Sequence, residues 1–225
     1  QYGFEDIETP TFEYFEVFSK EVGTIPSREL YKFFDREGNT LVLRPDFTPS
    51  VSRACATYFN PEKEVVSLCY TGTPFINNSS FRGRLKETTQ MGVERMGDDS
   101  PEADAEILAM TVECLLATGL TEFQVSVGQV DYYKAIFAQT GMSQEEEEEL
   151  RELISQKNYF GVEELVKNKN MDKSLARVLS QLPQMFGSTE VLEKAKSLTD
   201  NPQALKAVAR LEEIYELLKV YGYEK

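Results

Sequence analysis

The spacing of apolar side chains shifts from period two to period 3.6 partway along this chain, and the shift predicts two structural regimes. Through about residue 130 the apolar runs are short and β-rich. Residues 30–35 (Leu-Tyr-Lys-Phe-Phe-Asp) and 40–44 (Thr-Leu-Val-Leu-Arg) read as strands joined by Arg36-Glu37-Gly38-Asn39, a hairpin turn signal. Residues 46–58 follow as a short helix, with Pro49 tolerated in its first turn. The stretch 65–71 is apolar and β-branched enough for a central strand, and 85–96 reads as a long return strand beyond a polar loop. Ser100-Pro101 opens a helix as N-cap and first residue, Leu108, Val112, Leu115 and Leu116 mark its buried face, and Gly119 ends it. Residues 122–127 alternate polar and apolar, with Phe123, Val125 and Val127 on one face, as a half-buried strand should.

After residue 131 the strand signals vanish. Ser143-Gln144-Glu145-Glu146 is a capping box, and the run of Glu from 145 to 149 places negative charge where the helix dipole favours it. Asn201-Pro202 caps another helix, with Leu205, Val208, Leu211, Tyr215 and Leu218 along its core face. The predicted architecture is therefore α+β. A mostly antiparallel sheet flanked by helices occupies residues 1–140, and a small helical module of four or five short helices occupies 141–225.

Composition narrows the chemistry. The 225 residues carry 24 Lys and Arg against 38 Asp and Glu, a net charge of −14 that argues against a general nucleic-acid binder. Arg82, Arg84 and Lys86 form the best local basic group, and three such residues read more readily as a solvated rim than as a nucleotide site. The chain has no histidine, so any catalysis would have to run on carboxylates, Lys, Tyr or Cys. Cys55, Cys69 and Cys114 lie in apolar stretches without metal-ligand spacing, which reads as buried reduced thiols in a cytoplasmic protein. No metal site or cofactor is predicted. No apolar run approaches the roughly 18 residues of a membrane span, and no signal peptide opens the sequence. Gln1 and Lys225 both interrupt a pattern, as the ends of a fragment would.

Three segments carry a resemblance in order and spacing. They are Ile7-Glu8-Thr9-Pro10 with Glu13, then Leu43-Arg44-Pro45-Asp46-Phe47-Thr48, then the hairpin from 69 to 97 ending in Gln90-Met91-Gly92-Val93-Glu94. They resemble motif 1, the Leu-Arg-Pro-Glu-x-Thr segment and the motif 2 hairpin of the histidyl branch of class II aminoacyl-tRNA synthetases. The resemblance implies a synthetase-like core with the helical module as the family's insertion. It also implies that Asp46, Thr48, Gln90 and Glu94 surround the ammonium and imidazole of a bound histidine. Read from the residues alone, Gln90 and Glu94 share one strand face, and two carboxylates want a cationic ligand or a buried Arg. Pairing of Asp46 and Glu94 with Arg44 or Arg53 is the competing reading.

The departures from the synthetase pattern fall on ATP. Where the family has Phe-Arg-x-Glu, this chain has Phe75-Ile76-Asn77-Asn78. Ile76 stands at the position of the arginine that grips the α-phosphate, and Asn78 at that of its acidic neighbour. An isoleucine supplies none of arginine's donors. With Asn77-Asn78-Ser79-Ser80 and 83–90, the pattern is similar to the synthetase paralogues that serve as regulatory subunits of short-form ATP phosphoribosyltransferase. That resemblance implies a non-catalytic subunit, homodimeric within a hetero-oligomer. Such a subunit assembles with a separate catalytic subunit at the first step of histidine biosynthesis and passes on feedback inhibition by histidine. A catalytically active histidine–tRNA ligase and a free-standing synthetase-like domain are the alternatives.

Overall fold

The turn at 36–39 forms as its residues require. Asp35 accepts hydrogen bonds at 2.8 Å from both the backbone and the side-chain nitrogen of Asn39, and Gly38 takes φ of 87°. In chain order come β1 (Glu5–Asp6), β2 (Phe12–Tyr14), a four-residue helix α1 (Glu16–Ser19), β3 (Lys32–Phe34) and β4 (Thr40–Leu43). Helix α2 (Thr48–Tyr58), β5 (Val66–Gly72) and β6 (Gln90–Met96) complete this half. The computed structural model describes residues 2–19, 25–78, 83, 85–169 and 171–223, and their contacts divide into two units, Gln1–Asp99 and Ser100–Lys225.

The first unit holds two three-stranded sheets among the described residues, ordered β1-β5-β6 and β2-β4-β3. Every pairing is antiparallel except β1 with β5, so the mostly antiparallel α+β class read from the pattern is what forms. Register places Val66, Leu68, Tyr70 and Gly72 opposite Met96, Glu94, Gly92 and Gln90 on one face. Phe47 and, from α2, Val51 and Cys55 pack with Val66, Leu68 and Tyr70 to form the core there. This face carries the candidate site.

The second unit is helical: α3 (Pro101–Ala117), α4 (Val130–Phe137), α5 (Gln144–Ser155), α6 (Tyr159–Asn168), α7 (Lys173–Gln181), α8 (Glu190–Ser197) and α9 (Pro202–Val220). Its core is built on Ile136, Leu150, Val162, Leu179 and Val208, each at most 2% exposed. Both partners of the capping box at Ser143 and Glu146 are made, and Asn201 caps α9 as its sequence predicts. Helix α3 packs on α9, where Arg210 donates at 2.9 Å to Asp104, so the contacts group residues 100–140 with the helices that follow. The sequence reading drew its boundary at 140.

Three expectations differ from what forms. Residues 122–127 are not a strand. They pair with no described strand, and Phe123, Val125 and Val127 stay 36–46% exposed. Alternation marks which face a strand would bury, but a strand also needs an edge to accept its backbone groups. Helix α3 buries Ala103, Ala105, Ala109 and Met110, whereas Leu116 is exposed. Of the three free cysteines Cys55 is buried, Cys69 is half-buried and donates to Asp6 at 3.2 Å, and Cys114 is exposed.

Leu150→Ala removes a fully buried side chain from the helical core. It is expected to destabilise the second unit by about 2–5 kcal/mol. Phe160→Ala, at a 77% exposed site, should stay within about 0.5 kcal/mol of the parent. Urea unfolding followed by far-ultraviolet circular dichroism measures both.

Candidate functional site

A tyrosine that the sequence reading passed over organises the candidate site. Tyr70 lies on β5, 6% exposed, with its ring stacked on Phe47 at 4.3 Å between centroids. Directly across the ladder stands Gly92, where a Cβ would come 2.3 Å from the Tyr70 hydroxyl oxygen. The absence of a side chain at 92 is what lets the phenol cross the face of β6. Gln90 and Glu94 flank that gap on the same face.

The side chains of Thr48 and Gln90 lie beside the phenol hydroxyl, and the charges of Glu94 and Asp46 act on it. Thr48, the first residue of α2, donates its hydroxyl to Glu94 Oε1 at 2.6 Å. Asp46 Oδ1 accepts from the Thr48 backbone N–H at 3.3 Å. All four residues singled out from the sequence therefore gather around one hydroxyl. Both carboxylates are half-buried, not enclosed, and Thr48 and Gln90 are exposed, so the group opens to solvent. Burial raises the Tyr70 pKa above the ordinary phenol value, and the negative charges of Glu94 and Asp46 raise it further.

The competing partners are engaged elsewhere. Arg44, 8% exposed, donates to the carbonyls of Thr9 at 2.8 Å and Thr73 at 3.1 Å, and its guanidinium lies 4.4 Å from the Phe47 ring centroid. Gly72 makes room for it, since a Cβ there would stand 2.8 Å from Nη2. Arg53 pairs with Glu13 of β2, whose side chain is 5% exposed. Neither arginine forms a hydrogen bond or ion pair with Asp46 or Glu94. The site thus holds two carboxylates, a hydroxyl, a carboxamide and a neutral phenol, a donor-poor group suited to a small cation or an ammonium.

At the other end of the hairpin, Phe75 bridges Glu87, and the Ile76 N–H donates to the Lys86 carbonyl at 2.9 Å. The Ile76 side chain is hydrocarbon. Asn78 spends its amide on the Leu85 carbonyl at 3.2 Å, closing the base of the loop. Neither residue offers a charged donor. Arg82 and Arg84 lie outside the described residues, and Lys86 stands 6.0 Å from the centroid of the Tyr31 ring.

A family model described as histidyl-tRNA synthetase matches residues 1–224. The ATP phosphoribosyltransferase regulatory subunit of Acetivibrio thermocellus is 40% identical over 223 residues, which is 99% of this chain and 53% of that protein. The chain thus spans about half the length of the curated relatives it matches. The solved structure of an ATP phosphoribosyltransferase regulatory subunit/histidyl-tRNA synthetase from Bacillus halodurans is 32% identical. It superposes with a TM-score of 0.88 over 98% of this chain and 57% of its own. A chain of the ATP phosphoribosyl transferase (HisG:HisZ) complex from Thermotoga maritima shares the fold, with a TM-score of 0.59 at 20% identity over 96% of this chain and 73% of its own.

Replacing Glu94 by Gln removes the stronger of the two charges acting on the phenol, and the Tyr70 pKa is expected to fall toward its ordinary value of about 10. The ultraviolet ionisation difference between each protein and its Tyr70→Phe counterpart measures it. Because folding raises this pKa, the phenol's contribution to stability is complete below about pH 10 and is lost as pH rises through the folded value. Tyr70→Phe should therefore lose less stability than the parent above pH 10.

Proposed function

The chain belongs to the histidyl-tRNA synthetase family, and from that premise we propose that it is a non-catalytic member. In this reading it is the regulatory subunit that short-form ATP phosphoribosyltransferase requires at the first step of histidine biosynthesis. It works in the cytoplasm as a homodimer within a hetero-oligomer with the catalytic subunit, and histidine is the effector it senses. The names of its curated relatives support the regulatory role, and the fold shared with a chain of the Thermotoga maritima complex is compatible with assembly.

The observation that carries the reading is the contrast between the two ends of one hairpin. The Gln90 and Glu94 end gathers polar groups around Tyr70, with carboxylates that neither Arg44 nor Arg53 engages. At the other end, neither Ile76 nor Asn78 supplies a charged donor at the position where the synthetases carry their arginine. Loss of one preorganised donor to a developing charge costs about 10²–10³ in rate. Retaining amino-acid recognition without activation turns a substrate pocket into a sensor.

Within the pocket, the Glu94 carboxylate takes the α-ammonium or an imidazole N–H of histidine. Its Oε1 is already oriented by the Thr48 hydroxyl, which limits the side-chain entropy lost on binding. Asp46 adds a second negative charge, and Gln90 presents a carboxamide that can either donate or accept.

Two assays test this together. Histidine-dependent ATP–pyrophosphate exchange is expected to be absent, and exchange above background would overturn the non-catalytic assignment. Mixed with a short-form catalytic subunit, the protein is expected to confer phosphoribosyltransferase activity that histidine inhibits. A catalytic subunit no more active with the protein than without it would overturn the regulatory one.

A further inference from the structure

The helical unit contains a cleft that the reading above leaves unused. A cavity of about 510 Å³ lies between the C-terminal end of α4, one face of α7 and the connection from α8 to α9. Ile136, Leu175 and Val178, all buried members of the helical core, form its floor. Gln139, Arg177 and Asp200 stand exposed at its rim. The volume falls within the ordinary range of small-molecule sites, about 300–1,000 Å³.

The local sequence fixes this cleft's walls. Along α7, Leu175, Val178 and Leu179 point into the core, so Ser174 and Arg177, three residues apart, share the neighbouring face. Asn201 accepts from the backbone N–H groups of Gln203 and Ala204 and donates to the Ala135 carbonyl at 3.2 Å, which ties the start of α9 to α4. Thr199 accepts from the Asn201 N–H at 3.1 Å, and Ser197 donates to the Lys194 carbonyl at 2.7 Å. The small polar groups of the wall are thus already committed to holding its shape.

The rim groups are not committed. Among the described residues the side chains of Gln139, Arg177 and Asp200 make no hydrogen bond or ion pair, with each other or elsewhere. Two opposite charges therefore line one concavity above an apolar floor without neutralising each other. A simple anion would meet Asp200 and a net charge of −14, and a simple cation would meet Arg177. A compact zwitterion satisfies both. The guanidinium offers a carboxylate a two-pronged donor, Asp200 accepts from an ammonium, and the floor takes an aliphatic chain. We propose that this cleft binds a free α-amino acid with an apolar side chain. The site is independent of the pocket around Tyr70, and its failure would leave the reading of that pocket untouched.

Calorimetric titration with L-leucine, L-leucinamide and 4-methylpentanoate tests it, because the second lacks the carboxylate and the third the ammonium. Leucine is expected to bind, with each analogue weaker by about tenfold or more. Arg177→Ala should weaken leucine by a similar factor and leave leucinamide unchanged. Asp200→Asn should weaken leucine and leave 4-methylpentanoate unchanged. Absence of leucine binding at millimolar concentration would overturn the proposal, as would equal binding of all three compounds. So would leucine binding that survives both rim substitutions and disappears in Glu94→Ala, which would assign it to the other pocket.

Discussion

The buried guanidinium of Arg44 is the constraint on which the candidate site depends. A charge removed from water must find partners, and this one finds them in backbone carbonyls of two separate segments, at Thr9 and Thr73, and in the face of Phe47. The Arg44 carbonyl meanwhile receives the Phe75 N–H at 2.9 Å. One residue thereby joins the N-terminal segment, the end of β4, the segment that follows β5 and the ring on which Tyr70 stacks. Because its donors point at carbonyls, Arg44 does not neutralise Asp46 or Glu94. Arg53 is likewise occupied by the carboxylate of Glu13. These two arginines are used in the scaffold and leave Asp46 and Glu94 unpaired with them.

In the proposed reading, that division of labour lets one hairpin keep recognition while giving up chemistry. In that reading recognition belongs to the face defined by Tyr70 and Gly92, to which every second residue of β6 points. Adenylate formation in the synthetases that this chain resembles rests on a charged side chain at the position of Ile76, beyond the regular ladder. There the chain is held by single backbone bonds and by the Asn78 amide. A substitution at 76 removes a donor without touching the stacking of Tyr70 on Phe47. In the proposed reading, the regulatory subunit is what a synthetase fold becomes once those two functions separate.

Much of this was legible in the sequence, for reasons that differ by element. Gln90 and Glu94 share a face because strand periodicity is strict, and Asp46 and Thr48 join them because only residues 44–47 separate the end of β4 from the start of α2. The capping box at Ser143 and the cap at Asn201 were readable because local hydrogen bonds decide them. Tyr70 was not singled out, since a tyrosine in an apolar strand looks like core. The signal that could have found it was Gly92, a glycine inside a strand, which marks the close approach of another group. The unpaired stretch 122–127 was misread because alternation carries no information about whether a neighbouring edge exists. Helix α4 was missed although Gly128 precedes it and Gln129 caps it, because its eight residues, Val130–Phe137, are too few to show a clear 3.6 period, yet Tyr132, Ala135 and Ile136 enter the core.

The central claim is that the retained pocket, not some other surface, senses histidine. The inhibition constant of histidine for the assembled phosphoribosyltransferase, compared between the parent protein and Glu94→Ala, tests it most directly. A charge-assisted hydrogen bond is worth about 1.5–3 kcal/mol, so inhibition should weaken by about tenfold or more. Assembly measured by analytical ultracentrifugation should be unchanged, since Glu94 is held by Thr48 within its own unit. An unchanged inhibition constant in a Glu94→Ala complex that assembles normally would contradict the account and move the effector site elsewhere.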